Sequence, residues 1–208
     1  MKLRSTVIGI CAAGFFLVAS ATIGNAARFT LDFNVNSSVL EGRGEIEWAI
    51  DPNFLTLGGG VLYGQDDYTI GQADISFGSA LQTPMESRFN MGLQGVFGTV
   101  DRPTDDAAAS AVAILLSGSV EPGKISDMPI ELTALVSGAF GPMTFQDTDG
   151  YWEFKTTIGL YVLQDRLGAV YIGYRYLNLD MADEFNDSDV SASEFLFGLK
   201  FRFGSSKR

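Results

Sequence analysis

The sequence predicts an all-β fold: a transmembrane, antiparallel, up-and-down β-barrel of about ten strands, with eight as the smaller count. Three observations carry that expectation. Residues 193–203, SEFLFGLKFRF, set Phe195, Phe197, Leu199, Phe201 and Phe203 on one face and Leu196, Gly198, Lys200 and Arg202 on the other. Such a strand belongs in a wall between hydrocarbon and a polar interior. Similar segments recur along the chain between turn signals, with no amphipathic helical run among them. Finally, beyond the N-terminal leader no stretch approaches the ~18 apolar residues of a membrane helix; Ala107 to Leu116 is too short. If the chain spans a membrane, it spans it as strands.

Residues 1–26 read as a secretory signal peptide. Lys2 and Arg4 give a basic start, Thr6 to Ala21 an apolar run, and Gly24-Asn25-Ala26 small residues for cleavage. Cys11 lies inside this leader, preceded by Ile10, a poor lipoprotein signal. The remaining 27–208 is one domain by length. Its strands are expected at 29–35, 39–50, 55–63, 68–78, 87–100, 109–120, 130–140, 151–163, 167–179 and 193–203. The first is short and is alternatively a lead-in to the barrel. In 39–50, Leu40, Ile46, Trp48 and Ile50 alternate with Glu41, Arg43, Glu45 and Glu47. Leu57, Val61 and Tyr63 mark the outer face of 55–63, and Asp74 the inner face of 68–78. Phe89, Met91, Leu93 and Phe97 oppose Arg88, Asn90 and Gln94. In 109–120 small residues blur the period, leaving a short plug helix as the alternative. Glu131 falls on the inner face of 130–140. Phe154, Ile158, Leu160 and Val162 oppose Glu153 and Lys155, and Val170, Ile172, Tyr174 and Tyr176 oppose Arg175. Asp51-Pro52-Asn53, Gly64 to Asp67, Pro103 with Asp105, Glu121-Pro122-Gly123, Asp147 to Gly150 and Gln164-Asp165-Arg166 supply the turns.

Composition narrows the chemistry. Cleavage removes two of the 14 basic residues and none of the 25 acidic ones, leaving a net charge of −13, which argues against a nucleic-acid partner. The mature chain has no His and no Cys, hence no disulfide, no thiolate chemistry and none of the usual transition-metal ligands. No cofactor or catalytic group is expected, and Gly58-Gly59-Gly60 lacks the Lys-Ser/Thr of a phosphate loop. The inner face carries six acids, Glu41, Glu45, Glu47, Asp74, Glu131 and Glu153, against six bases, Arg43, Arg88, Lys155, Arg175, Lys200 and Arg202. Equal numbers in a narrow lumen point to a mutually neutralised network that largely plugs it; a narrow passive channel for small or apolar solutes is the alternative. A soluble lipocalin-like barrel uses the same period with the faces reversed. Asp180, Asp183, Glu184, Asp187 and Asp189 make one loop strongly acidic. They form only a weak divalent-cation candidate, because the loop lacks the glycine and spacing of a calcium site.

Gly198, Phe201 and Phe203 fit a Gly-x-x-aromatic-x-Phe ending that resembles the signal read by the assembly machinery of bacterial outer-membrane barrels. Gly173 to Leu179, GYRYLNL, with Tyr171 and Ile172 before it and the polar loop after it, resembles a strand of the YfaZ family of small outer-membrane proteins. Similar strands also occur in barrels that resemble OmpW or the outer-membrane-protein A and X types. The resemblance covers the final third of the chain. It implies an outer-membrane address and a barrel fold. It carries over no catalytic or ligand-binding residue. A monomer is expected, with outer-membrane lipid as its surroundings, lipopolysaccharide as the partner of the acidic loops, and the assembly machinery as the reader of the terminal strand.

Overall fold

The computed structural model describes residues 27–64, 68–82, 85–101, 107–122, 128–182 and 189–204. The expected signal peptide lies outside them. The described elements are β1 (Ala27–Val35), β2 (Val39–Ile50), β3 (Asn53–Gly64), β4 (Tyr68–Gln82), β5 (Glu86–Val100), β6 (Ala107–Glu121), β7 (Ile130–Phe140), β8 (Thr144–Gln146), β9 (Thr148–Tyr161), β10 (Gly168–Met181) and β11 (Val190–Phe203).

Ten long strands, all but the three-residue β8, each pair antiparallel with the next in chain order. β1 and β11 then close the cylinder, from Phe29↔Phe203 to Val35↔Phe197. The fold is therefore a closed ten-stranded antiparallel meander barrel, which leaves no long strand edge unpaired. Each of the ten has 9 to 15 residues, enough for a tilted strand to cross a hydrocarbon layer.

Three expectations change. Segment 27–35 is a barrel stave paired on both sides, so it is no lead-in. β6 is a strand over its whole length, so the plug-helix alternative falls. The turn expected at Asp147 to Gly150 shortens to Asp147, with β9 starting at Thr148, and a 3₁₀ turn precedes it: β7 stops at Phe140 and Gly141–Met143 follows with Pro142 near its start. Proline removes a ladder donor and ends the strand there. The chain then runs along the top of β6 as β8, pairing Ala109↔Gln146 through Ala111↔Thr144, before β9 descends.

Alternation sorts the outer face as the sequence indicates. Leu40, Met91, Leu93, Phe97, Ile158 and Ile172 all lie exposed on the outside, and Phe195 is the most open at 81%. Ile46 differs: it is buried on that face, with Phe29 and Leu57 as its cross-strand partners.

The inner face has two tiers. Toward the end that carries both termini it is charged and hydroxyl-rich. Toward the other end it is apolar, with Tyr68, Ile70, Val96, Tyr151, Leu177, Leu179 and Met181 packed into one cluster. Ala107, Ala109, Ala111 and Ala113 supply the β6 side of that cluster, all at most 3% exposed. Small side chains on one wall leave room for tyrosines and leucines from the others. The period of 109–120 is blurred for this reason: here both faces of the strand are apolar.

Candidate functional site

The charged tier begins with Glu41 on β2. Its carboxylate accepts hydrogen bonds from Asn34 Nδ2 at 2.6 Å, Lys155 Nζ at 3.0 Å and Arg175 Nη1 at 2.9 Å. Lys155 on β9 and Arg175 on β10 are direct cross-strand neighbours. Two like charges so placed repel, and the shared carboxylate from across the lumen offsets that repulsion. Arg175 also donates to Glu194, its neighbour on β11, which in turn accepts from Tyr68 at 3.4 Å. Beside this group Gln72 and Tyr151 donate to Glu153 at 2.9 and 2.7 Å, so that acid is held by neutral donors.

Nearer the termini, Arg43 pairs with Glu45 at 2.9 Å and with Asp74. Arg43 stands on β2 and Asp74 on β4; between them, in register, lies Gly58 of β3, paired to Glu45 and Asp74. A Cβ at Gly58 would come within 2.7 Å of Asp74 Oδ1 and 2.8 Å of Arg43 Nη2. The pair therefore bridges over the glycine. Arg88 donates to Glu47 at 2.6 Å and lies 4.2 Å over the Phe54 ring. Lys200 reaches Glu131 at 3.1 Å, and Arg202 bonds Glu131 and Tyr161 and approaches Glu121 at 3.6 Å. Each of the six inner-face bases thus lies within ion-pair distance of a carboxylate.

Sequence reading missed six charged members of this interior. Arg28 and Asp32 sit on inward positions of β1, and Glu194 on one of β11. Glu86, Glu121 and Arg166, read as turn charges, meet over the terminal mouth, where Arg166 bonds Glu121 and reaches Glu86 at 3.5 Å. Strict alternation in β1 was the available signal for Asp32. For Arg166 there was none, since the 3₁₀ turn Gln164–Arg166 carries it back toward the mouth, with Asp165 and Arg166 both left-handed at φ 55° and 57°.

The terminal strand uses its glycine in the same way as β3. Tyr171 on β10 faces Gly198 on β11, and its hydroxyl donates to Asp32 one strand further, on β1. A Cβ at Gly198 would meet the Tyr171 ring itself. Gly198→Ala is expected to cost about 1–3 kcal/mol through overpacking, read as a lower urea midpoint of the refolded barrel. An unchanged midpoint would show that Tyr171 has another berth. Phe201 is half-buried on the outer face, and Phe203 stacks on Phe29 with centroids 6.2 Å apart, across the seam that closes the barrel.

In the acidic loop, Asp183, Glu184 and Asp187 lie outside the described residues. Asp180 accepts from Asn178 at 2.6 Å, and Asp189 from the Met181 amide at 2.8 Å. These two carboxylates cap local backbone and side-chain donors, and no metal-ligating cluster occurs among the described residues.

Below the apolar tier a cavity of about 170 Å³ opens among the charged residues. Arg28, Glu47, Asp74 and Arg88 line one side; Ser117, Ser119, Thr133 and Thr157 line the other.

No family model and no curated protein matches the chain. Among solved structures it is similar to a membrane protein from work on in-meso crystallization, at 7% identity and TM-score 0.44 over 88% of this chain and 85% of that one. It is also similar to the NanC porin, at 10% identity and TM-score 0.39 over 85% and 99%. The β domain of the Bordetella autotransporter BrkA aligns at 10% identity and TM-score 0.26 over 84% and 97%.

Proposed function

We propose that this chain is an outer-membrane β-barrel protein with a structural or surface-interaction role, whose lumen is closed to the passage of solutes and performs no catalysis. The observation that carries this reading is the inward face. Six bases are matched to carboxylates within the barrel, and beyond them the apolar cluster around Tyr151, Leu177 and Leu179 crosses the far end. A permeating ion would have to break buried pairs and then cross an apolar layer, and both steps are unfavourable. The outer band of exposed Leu, Ile and Phe supports a membrane setting over a soluble one, since a lipocalin-like barrel would turn that band inward. In this reading the termini face the periplasm. The opposite rim, with Asp101, Asp147, Asp149, Asp180 and Asp189, faces the outer surface and its lipopolysaccharide. The likeness to YfaZ rests on Gly173 to Leu179 and the flanking strand, so the parent class of small outer-membrane barrels is the assignment we make.

The test is single-channel recording of the refolded barrel in a planar bilayer, with heat-modifiable gel migration as the folding control. Folded protein is expected to insert without resolvable conductance steps. Discrete steps would overturn the closed lumen in favour of a narrow channel. Failure of folded protein to enter detergent or bilayers would point to the soluble barrel.

A further inference from the structure

Arg28 is the cation that the network leaves out. It stands directly opposite Glu47 in the β1–β2 register, yet the Glu47 carboxylate bonds Arg88, and among the described residues no carboxylate lies within ion-pair distance of Arg28. Arg28 lines the cavity at the terminal end of the barrel. The other five bases there, Arg43, Arg88, Lys155, Lys200 and Arg202, are already paired. Among the described residues Arg28 therefore faces the cavity without an ion-pair partner; the lining carboxylate Asp32 has no cation within ion-pair distance either, and is held by the Tyr171 hydroxyl.

The rest of the lining is rich in hydroxyls that have no hydrogen-bond partner among the described residues: Thr30, Thr56, Ser76, Ser117 and Ser119. They come from β1, β3, β4 and β6, so they face the cavity from several sides. A half-buried guanidinium prefers a planar carboxylate that accepts two parallel bonds. Hydroxyls that both donate and accept prefer the same in a ligand. The cavity's 170 Å³ compares with an engineered cavity of about 150 Å³ that holds benzene, so a molecule of roughly six to ten heavy atoms fits.

We propose that the terminal end of the barrel is a blind binding pocket for a small, polyhydroxylated monocarboxylate, with Arg28 holding the carboxylate and the serine and threonine wall holding the hydroxyls. One unpaired cation sets the ligand charge at one; a second negative charge would meet Asp32, Glu45, Glu47, Asp74 and Glu131. An uncharged polyol would leave Arg28 without a counter-charge. The pocket is blind because the apolar tier closes the lumen above it, and in that respect it rests on the reading of the lumen given above.

Isothermal titration of the refolded barrel in detergent tests this, with erythronate, a four-carbon polyhydroxylated monocarboxylate of the size the cavity admits, as probe and erythritol and acetate as comparisons. Erythronate is expected to bind one per barrel and more tightly than either comparison, since each of those keeps only half of the recognised chemistry. Arg28→Ala should weaken erythronate about tenfold or more, Arg28→Lys less, and Ser119→Ala measurably with the folded gel shift retained. Absence of erythronate binding, equal affinity for erythritol, or unchanged affinity in folded Arg28→Ala would each overturn the pocket. Conductance steps in the bilayer assay would instead overturn only the closed lumen, so the two failures are distinguishable.

Discussion

Glu41→Leu is expected to destabilise the folded barrel by about 3–5 kcal/mol, the cost of stranding buried charge when one partner is removed. Glu41 is only 4% exposed and is the shared acceptor for Asn34, Lys155 and Arg175. Without it, Arg175 keeps Glu194, while Lys155 keeps no hydrogen-bond partner among the described residues and stands beside Arg175 in the ladder. Equilibrium urea unfolding in phospholipid vesicles, followed by gel migration, measures the loss. Glu45→Gln is the internal comparison. Its carboxylate is 37% exposed, so solvent screens it and the expected loss is below about 1 kcal/mol. A double-mutant cycle of Glu41 with Arg175 should give a coupling of about 0.5–3 kcal/mol. If Glu41→Leu costs no more than Glu45→Gln, water reaches the whole tier and the closed lumen is wrong.

Leu93→Arg is expected to cost about 2–4 kcal/mol in a bilayer. Leu93 lies at the middle of β5 with Ile75 and Ile114 beside it on the outer face, all three about half exposed. A guanidinium placed there must enter hydrocarbon or thin the bilayer to reach water. Thr99→Arg, outward on the same strand near its end, should cost only about 0–1 kcal/mol, because the penalty falls toward the interface. For a soluble barrel the two positions would be ordinary surface sites, and both substitutions would stay within about 0.5 kcal/mol. Equal and small effects at the two positions would therefore remove the membrane reading. The depth dependence is the decisive quantity, because it separates a lipid-facing wall from mere loss of packing.

The two experiments probe opposite faces of the same strands, and the legibility of those faces in the sequence differs. On β2, β5, β9, β10 and β11 a contrast between large apolar and charged residues marks the outer face without ambiguity. The inner face is legible only where it is charged. Leu177 and Leu179 follow Arg175 at inward positions, and both are fully buried in the apolar tier. β6 fails in the same way, with alanines inside and Val112, Ile114 and Leu116 outside.

Pairing within the lumen was less legible still. The six acids and six bases could be placed on the inner face from period alone. That Glu41 of β2 would bind Lys155 of β9 and Arg175 of β10, or that Arg166 would swing from its turn onto Glu121, could not. Such contacts depend on how the staves are staggered when β1 meets β11, and stagger is a property of the closed cylinder. Gly58 and Gly198 show the same limit. Gly58 read as one of a run of barrel glycines and Gly198 as part of the terminal assembly signal, and only closure reveals that a side chain from one neighbouring strand passes over each to reach the strand beyond.

By itself, then, the sequence determined the strand-built architecture, an approximate count of about ten staves and the outward face, because a period of two and a membrane-length strand are local properties of the chain. Tertiary structure alone decided which charges meet, where the lumen turns apolar, and that Arg28 is left over, because those follow from the register of strands far apart in sequence and from the space left when their side chains share one narrow interior.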